Sequence, residues 1–197
     1  MLSFFWIILA AAVYGALHSL TASLYVKALA EKRLGLFIRR FYRLFFNLFS
    51  IASFLVVFAL VIWLPDQLLY SVPSPWLWLM LILQVLAGLL GLVSLRQTGL
   101  SALVGLEQVF SPEGNSRPRP LSQHGFYRWM RHPVYTFSLL FIWMTPRMSL
   151  NLLALYLGFT LYILVGIYFE EKKLLAEFGE TYAEYRRRTP MLIPPFF

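Results

Sequence analysis

The chain has 197 residues, of which 59% are hydrophobic and 13% charged, and it carries a net charge of +8. Soluble domains run at about 45–50% apolar and about 25% charged, so these proportions exclude an ordinary soluble globule and intrinsic disorder alike. Cysteine is absent and there are three histidines, which excludes a disulfide framework, a thiolate nucleophile and a cysteine-based metal site; no metal is expected.

Residues 2–24, 44–64, 75–95 and 148–169 carry no formal charge. Each is close to the ~20 residues that cross ~30 Å of hydrocarbon as a helix. The first run has no basic residue before Lys27 and is too long for a secretory signal peptide, so it is expected to persist as a span. Between Pro133 and Pro146 lies a shorter apolar run. It is expected to cross by starting its helix in the preceding loop, or by leaning on its neighbour as a tight hairpin. Five spans follow. All 17 basic residues except Arg147 then lie on one side, which the positive-inside rule makes the cytoplasm, with the N-terminus outside and the C-terminus inside. The basic clusters read as topology and contacts to anionic membrane lipids, and not as a nucleic-acid surface. The expected architecture is a single all-α integral-membrane domain over 1–197, with a three-span part in 1–95 and a core in 96–197.

The loop 96–133 is long for a membrane connection, and long loops are often functional. Its residues 111–123 read S-P-E-G-N-S-R-P-R-P-L-S-Q, and it ends in G-F-Y-R-W-M-R-H-P-V-Y from Gly125 to Tyr135. Pro133 suits the first turn of a helix. His132 and Arg131 then stand at a helix start whose N–H groups could receive a carboxylate or phosphate; the alternative is a plain helix start with a snorkelling arginine. Glu170 and Glu171 lie at the cytoplasmic end of span five, pointing about 100° apart. Either one faces a bound group while the other pairs with a cation, or both pair with Arg131, Lys172 or Lys173 at the membrane edge. His18, inside span one, is an intramembrane ionisable group and so a candidate for chemistry, or else a hydrogen-bonded structural histidine. Beyond span five, Leu174, Leu175, Phe178, Tyr182 and Tyr185 recur at helical spacing, interrupted by Gly179. This amphipathic helix is expected to lie at the cytoplasmic interface and fold back on the loop before span four.

The ordered pair G-x-Y-x-x-x-R-H-P-x-Y and E-E-x-x-L-x-x-x-F-G-x-x-Y-x-x-Y resembles the isoprenylcysteine carboxyl methyltransferase family. The matching residues are Gly125, Tyr127, Arg131, His132, Pro133, Tyr135, then Glu170, Glu171, Leu174, Phe178, Gly179, Tyr182, Tyr185 and Pro194. The resemblance implies an integral-membrane enzyme that uses S-adenosylmethionine in a cytoplasmic pocket, closed by the loop before helix four and by the C-terminal helix. Arg119, Pro120, Leu121, Ser122, Tyr127, Arg131, His132, Pro133, Val134, Tyr135 and Glu170 would hold the cofactor. Glu171 or His18 would take a proton from the acceptor. Carboxyl-methylating members resemble one another in carrying an arginine one turn before the first glutamate, and Gly166 stands there instead. H-S-L-T-A-S, Y-R-L-F-F-N, M-T-P-R-M-S and Y-I-L-V-G-I-Y-F-E-E look like bacterial membrane methyltransferases that S-methylate methanethiol, and like NnrU membrane proteins. The implied function is methyl transfer to a small or apolar thiol or a lipid-borne acceptor, in a multi-pass protein of the bacterial inner membrane. The alternatives are isoprenylcysteine carboxyl O-methylation, phospholipid N-methylation, or a non-catalytic NnrU-like role.

Overall fold

A computed structural model describes residues 2–99, 104–110 and 120–193. The fold is all-α and built for a membrane. Four helices are long and apolar enough to cross one, and a fifth, shorter apolar helix accompanies them among the described residues. The chain divides into two compact units, one formed by residues 1–66 with 99–119 and the other by 67–98 with 120–197.

In the first unit, α1 (Leu2–Ala22) is followed by α2 (Leu24–Trp63). Only Ile7, Ala11 and Gly15 of α1 are buried. Their four-residue spacing makes one narrow inward stripe flanked by half-buried Ile8 and Tyr14, while Phe5, Trp6, Leu9 and Val13 are exposed, as lipid contact requires. Ser23 caps α2 by accepting a hydrogen bond from the Val26 N–H at 3.3 Å. The sequence pattern places a loop before a span at 44–64, whereas the structure has one 40-residue helix broken at Gly35, where φ is +64°. The break separates a charged leading segment from the apolar span Arg40–Trp63. The Tyr42 hydroxyl donates to the Thr21 carbonyl at 2.6 Å, and the Asn47 amide donates to the Val104 carbonyl at 2.8 Å. A short helix α4 (Leu106–Phe110) lies in the 99–119 segment of this unit.

The second unit contains β1 (Leu68–Ser71), α3 (Trp76–Gln97), a 3₁₀ turn (Gly125–Arg128), α5 (Pro133–Trp143), β2 (Arg147–Ser149), α6 (Leu150–Phe178) and α7 (Glu180–Arg188). The two strands pair antiparallel, with Tyr70 opposite Met148 and Ser71 opposite Arg147. Strands of three and four residues inside turn segments are too short to announce themselves by alternation. Helix α3 packs on α5, with Gly88 beside the Phe141 ring and Gly91 beside the Phe137 side chain. At 11 residues, α5 is about 16 Å long, roughly half the hydrocarbon thickness. Along α6 the buried residues Asn151, Leu155, Ile163, Ile167 and Glu171 share one face. Glu171 is thus a buried carboxylate one turn beyond the apolar Ile163 and Ile167. Gly179, with φ +54°, turns the chain sharply between α6 and α7, a conformation that side chains with a Cβ rarely adopt.

Candidate functional site

The site lies where α5 begins, α6 ends and α7 folds back. Pro133 occupies the first turn of α5, with His132 as the residue before it. Gly125 sets up this entry. Its φ is +60°, which favours glycine, and a Cβ there would fall 2.3 Å from the Gln97 side chain and displace it. The Gln97 side chain accepts from the Phe126 N–H at 3.2 Å.

The two motifs meet although they lie 39 residues apart. Glu171 Oε1 accepts from Arg131 Nε at 2.6 Å and from the Tyr182 hydroxyl at 3.1 Å, and it lies 3.1 Å from His132 Nε2. Its other oxygen pairs with Arg186 Nε at 3.4 Å. The side chains of Arg131, His132 and Glu171 are 9%, 3% and 11% exposed. Arg131 Nη1 also donates to the carbonyls of Thr189 and Arg186, at 2.6 and 3.1 Å. Arg131 therefore clasps the C-terminal helix as well as neutralising Glu171.

The C-terminal segment completes the clasp. The Arg131 and His132 N–H groups donate to the carbonyls of Pro190 and Met191, at 2.9 and 3.1 Å. The Thr136 hydroxyl donates to the Leu192 carbonyl at 2.8 Å. The Tyr185 hydroxyl donates to the Tyr127 carbonyl, and Arg188 Nη2 donates to Gln123 Oε1 at 2.8 Å. The amphipathic helix thus folds back on the segment before α5. These backbone bonds occupy N–H groups just ahead of the helix start, so any anion there must use those of Val134 and Tyr135, in the first turn of α5.

Glu170 differs from its neighbour. Its side chain is 42% exposed, and Oε2 lies 3.7 Å from His132 Nδ1. That oxygen is enclosed and has no hydrogen-bond partner among the described residues. The Tyr135 hydroxyl stands within side-chain hydrogen-bonding reach of the same carboxylate. Burial pushes the Tyr127 hydroxyl up, reinforced by Glu170 and Tyr185. Burial also raises Tyr182, reinforced by the Glu171 carboxylate, and pushes Tyr185 up to about 12 against the opposing pull of Arg131 and Arg188. All three phenols are therefore neutral donors near neutral pH.

Of the residues singled out from sequence, Tyr127, Arg131, His132, Pro133, Val134, Tyr135, Glu170 and Glu171 all belong to the second unit. Pro120, Leu121 and Ser122 lie in the irregular segment before the 3₁₀ turn. Arg119 and Pro194 lie outside the described residues. His18 belongs to the first unit, with its ring 4.8 Å from Phe46 and 5.7 Å from Tyr14. Tyr182, Arg186 and the carbonyls of 189–191 were not singled out as partners of the motif. The tyrosines stood in the sequence as an amphipathic stripe, but no residue pattern encodes which backbone carbonyls an arginine will meet.

No family model and no solved structure matches the chain. Among curated proteins, the chain is similar to methanethiol S-methyltransferase 2 of Bradyrhizobium diazoefficiens, at 40% identity over 126 residues, or 61% of this chain and 47% of that protein. It is similar to the methanethiol S-methyltransferase of Crocosphaera subtropica, at 45% identity over 94 residues, or 47% and 37% of the two chains. It is likewise 41% identical to the Mycobacterium tuberculosis methanethiol S-methyltransferase over 97 residues, 47% of this chain and 38% of that one. The chain matches less than half the length of these curated relatives, and over that length it is similar to methyltransferases named for a small thiol.

Proposed function

We propose that this chain is an S-adenosylmethionine-dependent membrane methyltransferase acting on a small or apolar thiol. The observation that carries this reading is the meeting of the Arg131–His132–Pro133 and Glu170–Glu171 motifs in one cluster that leaves Glu170 Oε2 enclosed and without a partner. A buried acceptor without a donor is costly, and a ligand hydroxyl removes that cost. The donor set fits the cofactor. Glu170 would accept from the ribose hydroxyls. The N–H groups of Val134 and Tyr135 would receive its carboxylate at the start of α5. Tyr127 and Tyr135 would offer aromatic faces to its base and its cation.

When bound, S-adenosylmethionine supplies an electrophilic methyl on a sulfonium whose charge is cancelled as the methyl leaves. The chain contributes position and exclusion of water. The strap of residues 189–192 is hydrogen-bonded onto the start of α5, which shields this corner from bulk water and raises the weight of each charge within it. Glu171 is engaged by Arg131, Tyr182, His132 and Arg186, so it is poorly placed to take a proton from a thiol. The thiol reading is supported by the relatives, which are named methanethiol S-methyltransferases, and by Gly166, where no arginine stands to pair with a carboxylate acceptor. The cytoplasmic side of a bacterial inner membrane is the proposed location of the site and of the C-terminus, from the distribution of basic residues.

The test is a methyl-donor assay on the full chain purified in detergent, across methanethiol, larger thiols, a farnesylcysteine and phospholipids, with S-adenosylhomocysteine binding measured in parallel. Saturable binding with turnover of thiols is expected. Binding with turnover of the farnesylcysteine carboxylate alone would overturn the acceptor, and absence of binding would overturn the enzyme reading.

A further inference from the structure

Glu171 and Glu170 bracket one imidazole. Nε2 of His132 is at hydrogen-bond distance from Glu171 Oε1, at 3.1 Å, while Nδ1 is 3.7 Å from Glu170 Oε2, beyond a hydrogen bond. Glu171 already accepts from Arg131 Nε and the Tyr182 hydroxyl, which makes it an ionised, fixed acceptor. A histidine places its proton on the nitrogen that faces such an acceptor. The proton of His132 therefore belongs on Nε2, and Nδ1 is left with its lone pair. Beside that lone pair stands Glu170 Oε2, enclosed and without a hydrogen-bond partner among the described residues.

We propose that Glu171 is a positioning residue. It commits His132 to the Nε2-protonated tautomer, so that His132 Nδ1 and Glu170 Oε2 form a paired acceptor for hydroxyl donors of a bound ligand. Glu171 then acts through His132 and touches neither cofactor nor acceptor. The identity of the donors as ribose hydroxyls rests on the proposed function; the tautomer does not. The arrangement also gives the clasp a purpose beyond stability. The same carboxylate that holds Arg131 and α7 fixes which face of the imidazole the ligand meets, so loss of the clasp and loss of the acceptor pair go together.

The experiment is nitrogen NMR of the full chain in detergent micelles, with histidine labelled by nitrogen-15, at about pH 8, where an unperturbed imidazole is neutral. There are three histidines, His18, His124 and His132, and His18→Gln and His124→Gln assign the remaining signal. The expected spectrum has His132 with a protonated Nε2 and an unprotonated Nδ1. S-adenosylhomocysteine should shift Nδ1 toward a hydrogen-bonded value. Glu171→Gln should mix the tautomers and weaken S-adenosylhomocysteine binding about tenfold or more, and Glu171→Asp should partly restore both. A wild-type His132 protonated on Nδ1, alone or as the imidazolium, overturns the proposal, and this spectrum decides the matter even where Glu171→Gln fails to fold. The expected tautomer without any S-adenosylhomocysteine binding supports the positioning role and overturns the cofactor reading instead.

Discussion

The helical hairpin of α5 and α6 carries a polar network at each end, and the two are built differently. At the turn between the helices, the Thr145 hydroxyl donates to the Ile142 carbonyl at 2.8 Å and lies 3.0 Å from the Tyr156 hydroxyl. Gln84 donates to Thr145 Oγ1 and to the Phe141 carbonyl, at 3.2 and 2.9 Å. The Tyr70 hydroxyl reaches the Thr145 carbonyl at 3.0 Å, and Trp143 Nε1 donates to Thr160 at 3.0 Å. These groups are neutral, and each side chain named has a partner. The other end gathers Arg131, His132 and Arg186 around Glu171, and beside them an enclosed oxygen of Glu170 has no hydrogen-bond partner among the described residues. A satisfied neutral network holds helix ends in place. A charged one with a leftover acceptor leaves that acceptor open to a donor from solvent or from a ligand.

Substitutions at the two ends should separate these roles. The largest effect is expected at Glu171. Its change to Gln leaves the buried Arg131 guanidinium without its counter-charge, which costs about 3–5 kcal/mol of stability. Thermal unfolding in detergent should show this as a large fall in Tm, and limited proteolysis should show early release of α7. A Tm within a few degrees of wild type would mean that the pair is not what holds the C-terminal helix.

The next effect is at Glu170, and it concerns binding and not stability. Glu170→Gln keeps the size and removes the charge from a side chain that is 42% exposed and holds no clasp. Stability should change by no more than about 0.5 kcal/mol, while affinity for S-adenosylhomocysteine should fall by about 1.5–3 kcal/mol, the scale of a hydrogen bond to a charged group. Thr145→Val should give the reverse pattern. Removing its hydroxyl leaves Tyr156 and Gln84 short of a partner and costs about 1–3 kcal/mol of stability, with ligand affinity unchanged when measured below the new Tm. If Thr145→Val weakens binding as strongly as Glu170→Gln, the two ends are not functionally distinct.

The smallest effect is expected at Gly166. A Cβ added there meets no atom within 4 Å, and arginine is a better helix former than glycine. Gly166→Arg should therefore fold at least as well as wild type, within about 1 kcal/mol. Any gain in turnover of a farnesylcysteine carboxylate would show that the missing guanidinium sets acceptor choice. A clear loss of stability would mean that the position is not open.

Much of this was legible in the sequence, for physical reasons. Uncharged runs of about twenty residues are an unmistakable demand for membrane spans, and Pro133 after His132 marks a helix start. Adjacent Glu170 and Glu171 were readable as carboxylates with different surroundings, because consecutive helix positions diverge. Which of them would be buried was not readable. That depends on Glu171 sharing a face with Ile163 and Ile167, and on where α7 returns after Gly179. The occupation of the Arg131 and His132 N–H groups by the carbonyls of Pro190 and Met191 was equally hidden, since every residue type offers a carbonyl. The helical run from Leu24 to Trp63, broken at Gly35, also escaped the pattern. Its charged first part reads as a loop until the backbone shows that only Gly35 departs from helical geometry.

The central claim is that the charged end of the hairpin is a cofactor site organised around Glu170. The most direct measurement is a calorimetric titration of S-adenosylhomocysteine into the purified wild-type chain, Thr145→Val and Glu170→Gln under one detergent condition. Saturable binding to one site in wild type and in Thr145→Val, weakened about 10- to 150-fold in Glu170→Gln, is the predicted result. No saturable binding by the wild-type chain, or equal affinity in all three proteins, would contradict it.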